Sequence, residues 1–385
     1  MTAFLAAAVG FASLAAAMGI GRFAFTPLLP LMQQAQGLTL AQGAWLATAN
    51  YLGYLIGACA CFVRSPAPGA AARWGLAVVV LTTAPMAFTT SFGAWFALRF
   101  ASGVASALVL VGASTWALSH LAAAGRGRLA GGVFSGVGAG IVVAGLASLV
   151  AGSGGAPAAW IGLGAIAAAV AAAAWKPFGV LAPEPAAAPA ADKPARLDRA
   201  AWVLVGCYGA FGLGYIVPAT FIPALARSLV NDPAVFGWAW PVFGLAAALS
   251  TVLVSTMFGR ISPQRVAVAS LLVMAAGVVA PVVLPGLSAL LFCAVCVGGT
   301  FMVVTMAGMQ EARRRSHDSS TTLVSAMTAA FALGQLAGPA LVGLGTSAES
   351  ALTTVSLLAA AVLLISALVL FVDRERPGGT VASSR

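Results

Sequence analysis

Twelve apolar runs, each about 20 residues long, follow one another along the chain with short breaks between them. They lie near 4–32, 42–62, 74–91, 94–119, 129–151 and 157–176, and after a gap near 200–226, 236–257, 265–283, 287–311, 320–345 and 350–372. A run of that length suits a helix that crosses a bilayer, because a helix satisfies its own backbone groups where lipid offers no partner. Only 7% of the 385 residues are charged, against about 25% in an average soluble domain. So few charges do not coat a water-soluble globule of this size. The sequence predicts an all-α integral membrane protein of twelve transmembrane helices.

A net charge of +10 would point to nucleic acid in a soluble protein. The placement of the charges points elsewhere, and no nucleic-acid partner is expected. Even-numbered junctions between the runs hold Arg64 and Arg73, Arg126 and Arg128, then Lys176, Lys193, Arg196 and Arg199. They continue with Arg260 and Arg265, then Arg313, Arg314 and Arg315, and the tail adds Arg374, Arg376 and Arg385. Against these sixteen, the odd-numbered junctions hold only Arg227. Basic loops stay in the cytoplasm, so both termini are expected there. Such loops also meet anionic membrane lipid. A secretory leader opens on a positive stretch, which "MTAFLAAAVG" lacks, so the first run reads as an uncleaved span.

Between the sixth and seventh runs lies "KPFGVLAPEPAAAPAADKPARLDR", a Pro- and Ala-rich segment suited to a semi-rigid linker. It divides the chain into a bundle over 1–176, a cytoplasmic linker over 177–199, a second bundle over 200–372 and a tail over 373–385. The halves echo each other. Gly19, Gly21 and Pro30 of "GIGRFAFTPLLPL" align with Gly212, Gly214 and Pro223 at a shift of 193. The same shift takes Trp45 onto Trp238 and Leu98-Arg99 onto Leu291-Phe292. A duplicated six-helix unit, two pseudo-symmetric bundles with a binding site between them near the midplane, is the physical reading.

Small residues at helical spacing mark close packing: Gly132, Gly136 and Gly140 in the fifth run, Gly334 and Gly338 in the eleventh, Gly53 and Gly57 in the second. They serve either tight packing or surfaces that slide during transport. Pro85, Pro218, Pro241, Pro281 and Pro339 lie inside runs and are expected to bend them. Cys293 and Cys296 of "CAVC" have metal-like spacing, but no second pair or nearby His completes a site, so no metal and no cofactor is expected.

Several motifs resemble one known family over essentially the full length. "LRFASGVASA" from Leu98 is similar to the fourth-helix motif of the major facilitator superfamily, an Arg followed four residues later by Gly. "GRFAFTPLLPLM", "WLATANYLGYLIGA", "GGTFMVVTMAG" and "GQLAGP" together resemble its bacterial YbfB/YjiJ-like branch. The resemblance implies an inner-membrane permease, with helices one and four lining a central cavity. It departs from the superfamily in "CFVRSPAPGAAARWG", which keeps Arg64 and Arg73 but has no Asp, and in "GVGAGIVVAGL", which has no Pro.

Arg22 and Arg99 lie inside spans, at comparable depths of roughly 8–14 Å below the outer surface at 1.5 Å per helical residue. An arginine facing lipid costs about 2.5–3.5 kcal/mol or more, so such residues are normally paired or face water. The chain has nine acids, none precedes Glu184, and only Glu311 borders a span, at its opposite end. Two readings stand. Arg99 snorkels to the interface while Arg22 caps carbonyls freed by Pro27 and Pro30, or at least one of them grips an anion through its guanidinium fork. In the second reading Gly19 and Gly21 admit a close neighbour, and Asn50, Tyr51, Tyr54, Tyr215, Trp238, Trp240, Thr300, Thr305 and Gln335 complete the pocket. Proton-coupling candidates are His120 and Glu311, at cytoplasmic helix ends.

No catalytic constellation is visible, so the chain is not read as an enzyme. The expectation is a secondary transporter of a small organic anion, acting as a monomer by alternating access in the bacterial inner membrane. The rivals are a permease expelling hydrophobic drugs and a membrane sensor that binds a ligand without moving it.

Overall fold

The computed structural model describes residues 1–151, 155–180, 197–229, 238–284, 286–315, 320–343 and 348–373, without the side chains of 40, 41, 220–229, 239, 320, 339–343 and 348–352. Most of the expected linker and tail therefore lies outside the described residues, as does the side chain of Pro339. Twelve helices are long and apolar enough to cross a membrane, and no strand occurs among the described residues. In the first half α1 runs Ala3–Gln36 in three pieces, followed by α2 Leu40–Arg64, α3 Pro68–Thr83, α4 Phe92–Ala123, α5 Ala130–Val150 and α6 Gly155–Trp175. The second half holds α7 Arg199–Leu229, α8 Ala239–Met257, α9 Pro263–Val283, α10 Leu287–Arg315, α11 Ser320–Gly343 and α12 Ala348–Asp373.

Local chemistry sets several ends. Thr39 and Gln42 form a reciprocal capping box on α2, and Ser91 and Ser262 cap α4 and α9. Pro68 and Pro263 open α3 and α9 at the first turn, where no backbone donor is needed. Several ends differ from the sequence expectation, those of α3 and α10 among them. α3 starts six residues before position 74 and takes in Arg73, whose guanidinium lies 5.1 Å from the Trp175 ring. α10 continues to Arg315 because Arg314 and Arg315 pair back onto Glu311 one turn earlier, at 3.4 and 2.9 Å.

The two halves repeat one packing scheme. In the first, α1 packs on α4, α5 and α6, α4 on α2 and α3, and α3 on α6. In the second, α7 packs on α10, α11 and α12, α10 on α8 and α9, and α9 on α12. The seam between halves is α5 against α8 and α2 against α11, which the same operation exchanges. Outward faces are apolar: Val242, Leu245, Leu249 and Leu253 of α8, and Leu364, Leu368 and Phe371 of α12, are all exposed. Lipid rather than water suits that surface.

The repeat register needs one correction. A shift of 193 pairs Arg99, 3% exposed, with Phe292, 52% exposed, which is no structural equivalence. For α4 and α10 the shift is 194, which sets Arg99, Ser102 and Ser106 against Cys293, Cys296 and Thr300, all buried. The side-chain bonds agree: Ser106 donates to the Ser102 carbonyl, and Thr300 to the Cys296 carbonyl. One inserted residue turns a helix by about 100°, enough to exchange a buried face for a lipid face. The "CAVC" spacing is thus the second-half counterpart of Arg99 and Ser102, and all five cysteines are free thiols.

A candidate binding site at the broken first helix

The centre of the molecule is organised by a break in α1. After Leu14 the helix widens into a π segment, Ala15–Ile20, in which Gly21 and Phe23 donate to Ala16 and Met18, five residues back. Turn residues 21–24 follow, and α-helix resumes at Phe25. Pro27 has no N–H for the carbonyl four residues before it, and Thr26 bonds Phe23 instead at 3.3 Å. The carbonyls of Gly21 and Arg22 are left for other donors. π segments of this kind frequently accompany functional sites.

Helix α4 supplies the donors from one face. Arg99 donates through Nη1 to Gly21 O and through Nη2 to Arg22 O, both at 2.9 Å. Ser102 adds a bond to Gly21 O at 2.7 Å, and Ser106 one to Ala17 O at 2.8 Å. Positions 99, 102 and 106 fall on one stripe of the helix. Asn50 of α2 in turn donates to the Arg99 carbonyl at 3.0 Å. Arg99 therefore does not snorkel. It satisfies the broken backbone, the task that the sequence offered to Arg22.

Arg22 is 2% exposed, and its surroundings differ. Its guanidinium carbon lies 3.7 Å from the Tyr54 ring centroid, with Tyr51 at 5.4 Å and Phe23 at 5.6 Å. Its Nη2 donates to Oε1 of Gln335 on α11, across the seam between halves. Nε and Nη1 have no acceptor among the described residues. The hydroxyls of Tyr54 and Tyr215 and the amide nitrogen of Gln335 are likewise buried without partners. Unpartnered nitrogens outnumber pure acceptors in the cluster, where Asn50 Oδ1 is the unpartnered acceptor among the described residues and Arg99 Nε a further free donor.

The opposite wall is aromatic. Trp240, Phe243, Phe301, Tyr215 and Phe331 stack in sequence, with centroids 5.4, 5.3, 5.0 and 6.0 Å apart, and Phe23 meets Phe301 edge-on at 6.2 Å. Tyr208, which sequence reasoning missed, leans on Phe331 and bonds Thr305. With it, all four tyrosines of the chain gather around the centre. Ser102 and Ser106 were missed too, although their spacing from Arg99 was a readable signal.

Other candidates lie elsewhere. Trp238 is 54% exposed, and its repeat partner Trp45 is 61% exposed, the arrangement of an interfacial belt. Thr300 and Thr305 donate to carbonyls of their own helix. His120 is held by the Trp116 carbonyl at 2.9 Å and by that indole ring. Glu311 is engaged by Arg315 and Arg314, and Arg315 also reaches Asp373 at 3.0 Å.

The glycines sort by partner. A Cβ at Gly19 would strike the Gly140 backbone, and one at Gly136 would strike Phe11. Gly334 and Gly338 meet α7 in the same way, Gly21 abuts the Ala17 carbonyl, and Pro30 lies inside the resumed helix. Gly132 faces open space, so the expected ridge on α5 consists of Gly136 and Gly140 alone. A second row, Gly131, Gly138 and Gly145, faces α8 instead and lets the halves approach closely.

Near the arginine-rich helix ends, a separate cavity of about 660 Å³ opens between α4, the turn before α5, α8, α9 and α10. Among the described residues no three His, Cys, Asp or Glu side chains gather as metal ligands.

Comparison with known proteins adds two matches. Residues 14–371 match the family described as "Uncharacterised MFS-type transporter YbfB". Over 104 residues, 26% of this chain, the sequence is 33% identical to the "Uncharacterized MFS-type transporter YceJ" of Bacillus subtilis (strain 168). That stretch covers 26% of the relative.

Proposed function

The chain belongs to the YbfB family of MFS-type transporters, and from that premise we propose that it moves a small organic anion across the membrane by alternating access. Membership and twelve apolar helices make it a multi-pass membrane transporter. The anionic substrate rests on one observation: Arg22 is buried with unused donors, and among the described residues no carboxylate is bonded to it.

Gln335 gives Arg22 a neutral acceptor that also ties the two halves together. An entering carboxylate offers a charged acceptor, worth about twice a neutral one. It takes over the Nη2 bond, and the hydroxyls of Tyr54 and Tyr215 close on its second oxygen. The tie between α1 and α11 is then released, so binding energy shifts the balance between conformations through differential affinity. Arg99 acts through the backbone, holding the carbonyls that set the position of Arg22. Any coupled proton travels with the substrate or past His120, because Glu311 is already paired.

A thermal-shift panel of acetate, lactate, benzoate and succinate, with benzamide and benzylamine as controls, tests this. The anions alone are expected to raise the melting temperature. Gln335→Glu, which installs a permanent internal anion, is expected to abolish the response, and Gln335→Ala to keep it. Equal binding of benzylamine and benzoate, unaffected by Arg22→Ala, would overturn the assignment. The same reading sets the basic loops in the cytoplasm of a bacterial inner membrane. A cytoplasm-dependent reporter is expected to be active when fused at Gly125 and silent at Gly37, and the reverse pattern refutes that orientation.

A further inference from the structure

The 660 Å³ cavity near the arginine-rich helix ends shares no lining residue with the Arg22 cluster and plays no part in the mechanism above. Its walls come from both halves, and three arginines reach it: Arg128 from the turn before α5, and Arg313 and Arg314 from the end of α10. Among the described residues no Asp or Glu lines it. Arg128 makes no hydrogen bond or ion pair among the described residues. Arg313 is held by neutral groups, the Ser119 hydroxyl at 2.7 Å and the Thr115 carbonyl at 3.4 Å. Arg314 has a side chain 59% exposed, with one long contact to a carboxylate that Arg315 holds more closely. The positive charge in this cavity is therefore under-compensated.

The rest of the lining is largely apolar, with Leu118, Val254, Phe258, Ile261 and Met306 among it. Phe258 and Ile261 are also 45% and 41% exposed, and Met257 beside them is 68% exposed. The mouth thus continues into the apolar outer surface of α8. The volume lies within the roughly 300–1,000 Å³ of ordinary small-molecule pockets. A charged pole beside a greasy wall, at the ends of apolar helices long enough to cross a membrane, calls for an anionic amphipath. Guanidinium forks match phosphate oxygens, and basic pockets between transmembrane helices take anionic headgroups.

We propose that this cavity binds a phosphate group, supplied by the headgroup of an anionic phospholipid, whose glycerol and upper acyl carbons lie against Phe258, Ile261 and Met306. Because Arg128 and Arg313 belong to different halves, the headgroup bridges the seam and favours the arrangement in which these ends are close.

The experiment measures lipid retained by the purified full chain by native mass spectrometry, with phosphatidylglycerol and phosphatidylcholine offered in equal amounts. Thermal unfolding is followed with each lipid and with inorganic phosphate. Phosphatidylglycerol is expected to be retained and to stabilise, and phosphatidylcholine is not. Arg128→Gln and Arg314→Gln should each lower retention about fivefold, the worth of one basic side chain near an anionic headgroup. Arg64→Gln, which removes a charge at the same end but outside the cavity, should leave retention unchanged. Competition by millimolar phosphate with equal stabilisation would uphold the phosphate site and name a soluble ligand as its source. Equal retention of both lipids, or equal losses in Arg64→Gln and Arg128→Gln, would overturn the site.

Discussion

The two halves of the molecule share one scaffold and line its centre with opposite chemistry. Where the first half has Arg22, Asn50 and Arg99, the second has Tyr215, Phe243 and Cys293 at the corresponding, equally buried positions. In the first half the polar groups hold a broken helix open and leave two spare donors on Arg22 against one, Nε, on Arg99 among the described residues. In the second, Tyr215 and Phe243 join a stack of rings, and Cys293 is a buried free thiol. Duplication supplied the packing, and divergence put the charge on one wall only. On the proposed reading, a ligand between the walls meets a cationic side and an aromatic side. Within the charged wall a second division appears. Arg99 gives both terminal nitrogens to backbone carbonyls, and Arg22 gives one to a glutamine and has two nitrogens unused. Burial is the same for both, and the hydrogen bonding is not.

The sharpest way to break this comparison is at Arg99. Arg99→Ala strands the buried Arg22 carbonyl and leaves Gly21 O to Ser102 alone, so we expect a loss of about 1–3 kcal/mol in thermal unfolding. Its repeat counterpart supplies the contrast below. A well-folded Arg99→Ala protein that has lost ligand binding would show Arg99 to be a direct ligand. Next in size, Arg22→Ala should keep its fold while anion affinity falls at least about a hundredfold, the worth of two charge-assisted hydrogen bonds, measured by titration calorimetry. Arg22→Lys should recover little of this, because an ammonium loses the planar fork.

Smaller effects sharpen the picture. Tyr215→Phe keeps the ring stack and removes one buried, unpartnered hydroxyl. Anion affinity should fall about fivefold with no loss of stability, since one net hydrogen bond is worth about 1 kcal/mol. An unchanged affinity would confine Tyr215 to packing. The smallest effect belongs to the second half: Cys293→Ala, at the position equivalent to Arg99, should cost about 1 kcal/mol or less and leave binding intact, because the thiol packs as a small apolar group. A cost equal to that of Arg99→Ala would dissolve the contrast between the halves.

Much of this was legible in one dimension. Run length and charge scarcity marked the spans, because a bilayer imposes a length on every helix that crosses it. Gly136 and Gly140 were readable as a packing ridge from their spacing, and Tyr54, Tyr215 and Gln335 as polar groups inside apolar runs. Gly132 belonged to the same pattern and faces open space, since spacing names a helix face but not what lies against it. The second glycine row on α5 escaped notice for the same reason. Trp238 looked like a pocket residue because position along a span does not reveal rotation about its axis. Glu311 looked free until the extension of α10 brought Arg315 one turn away.

The sequence by itself determined that the protein lives in lipid, that its spans come in two sets of six, and that no acid of its first half neutralises Arg22 or Arg99. Those are properties of composition and order, and they hold in any fold the chain adopts. Which arginine is spent and which is available was decided only by tertiary structure. The acceptors that make the difference lie 77 and 78 residues away for Arg99 and 313 residues away for Arg22. A hydrogen bond is set by distance and angle in space, and both come into being only when α1, α4 and α11 pack around the same turn.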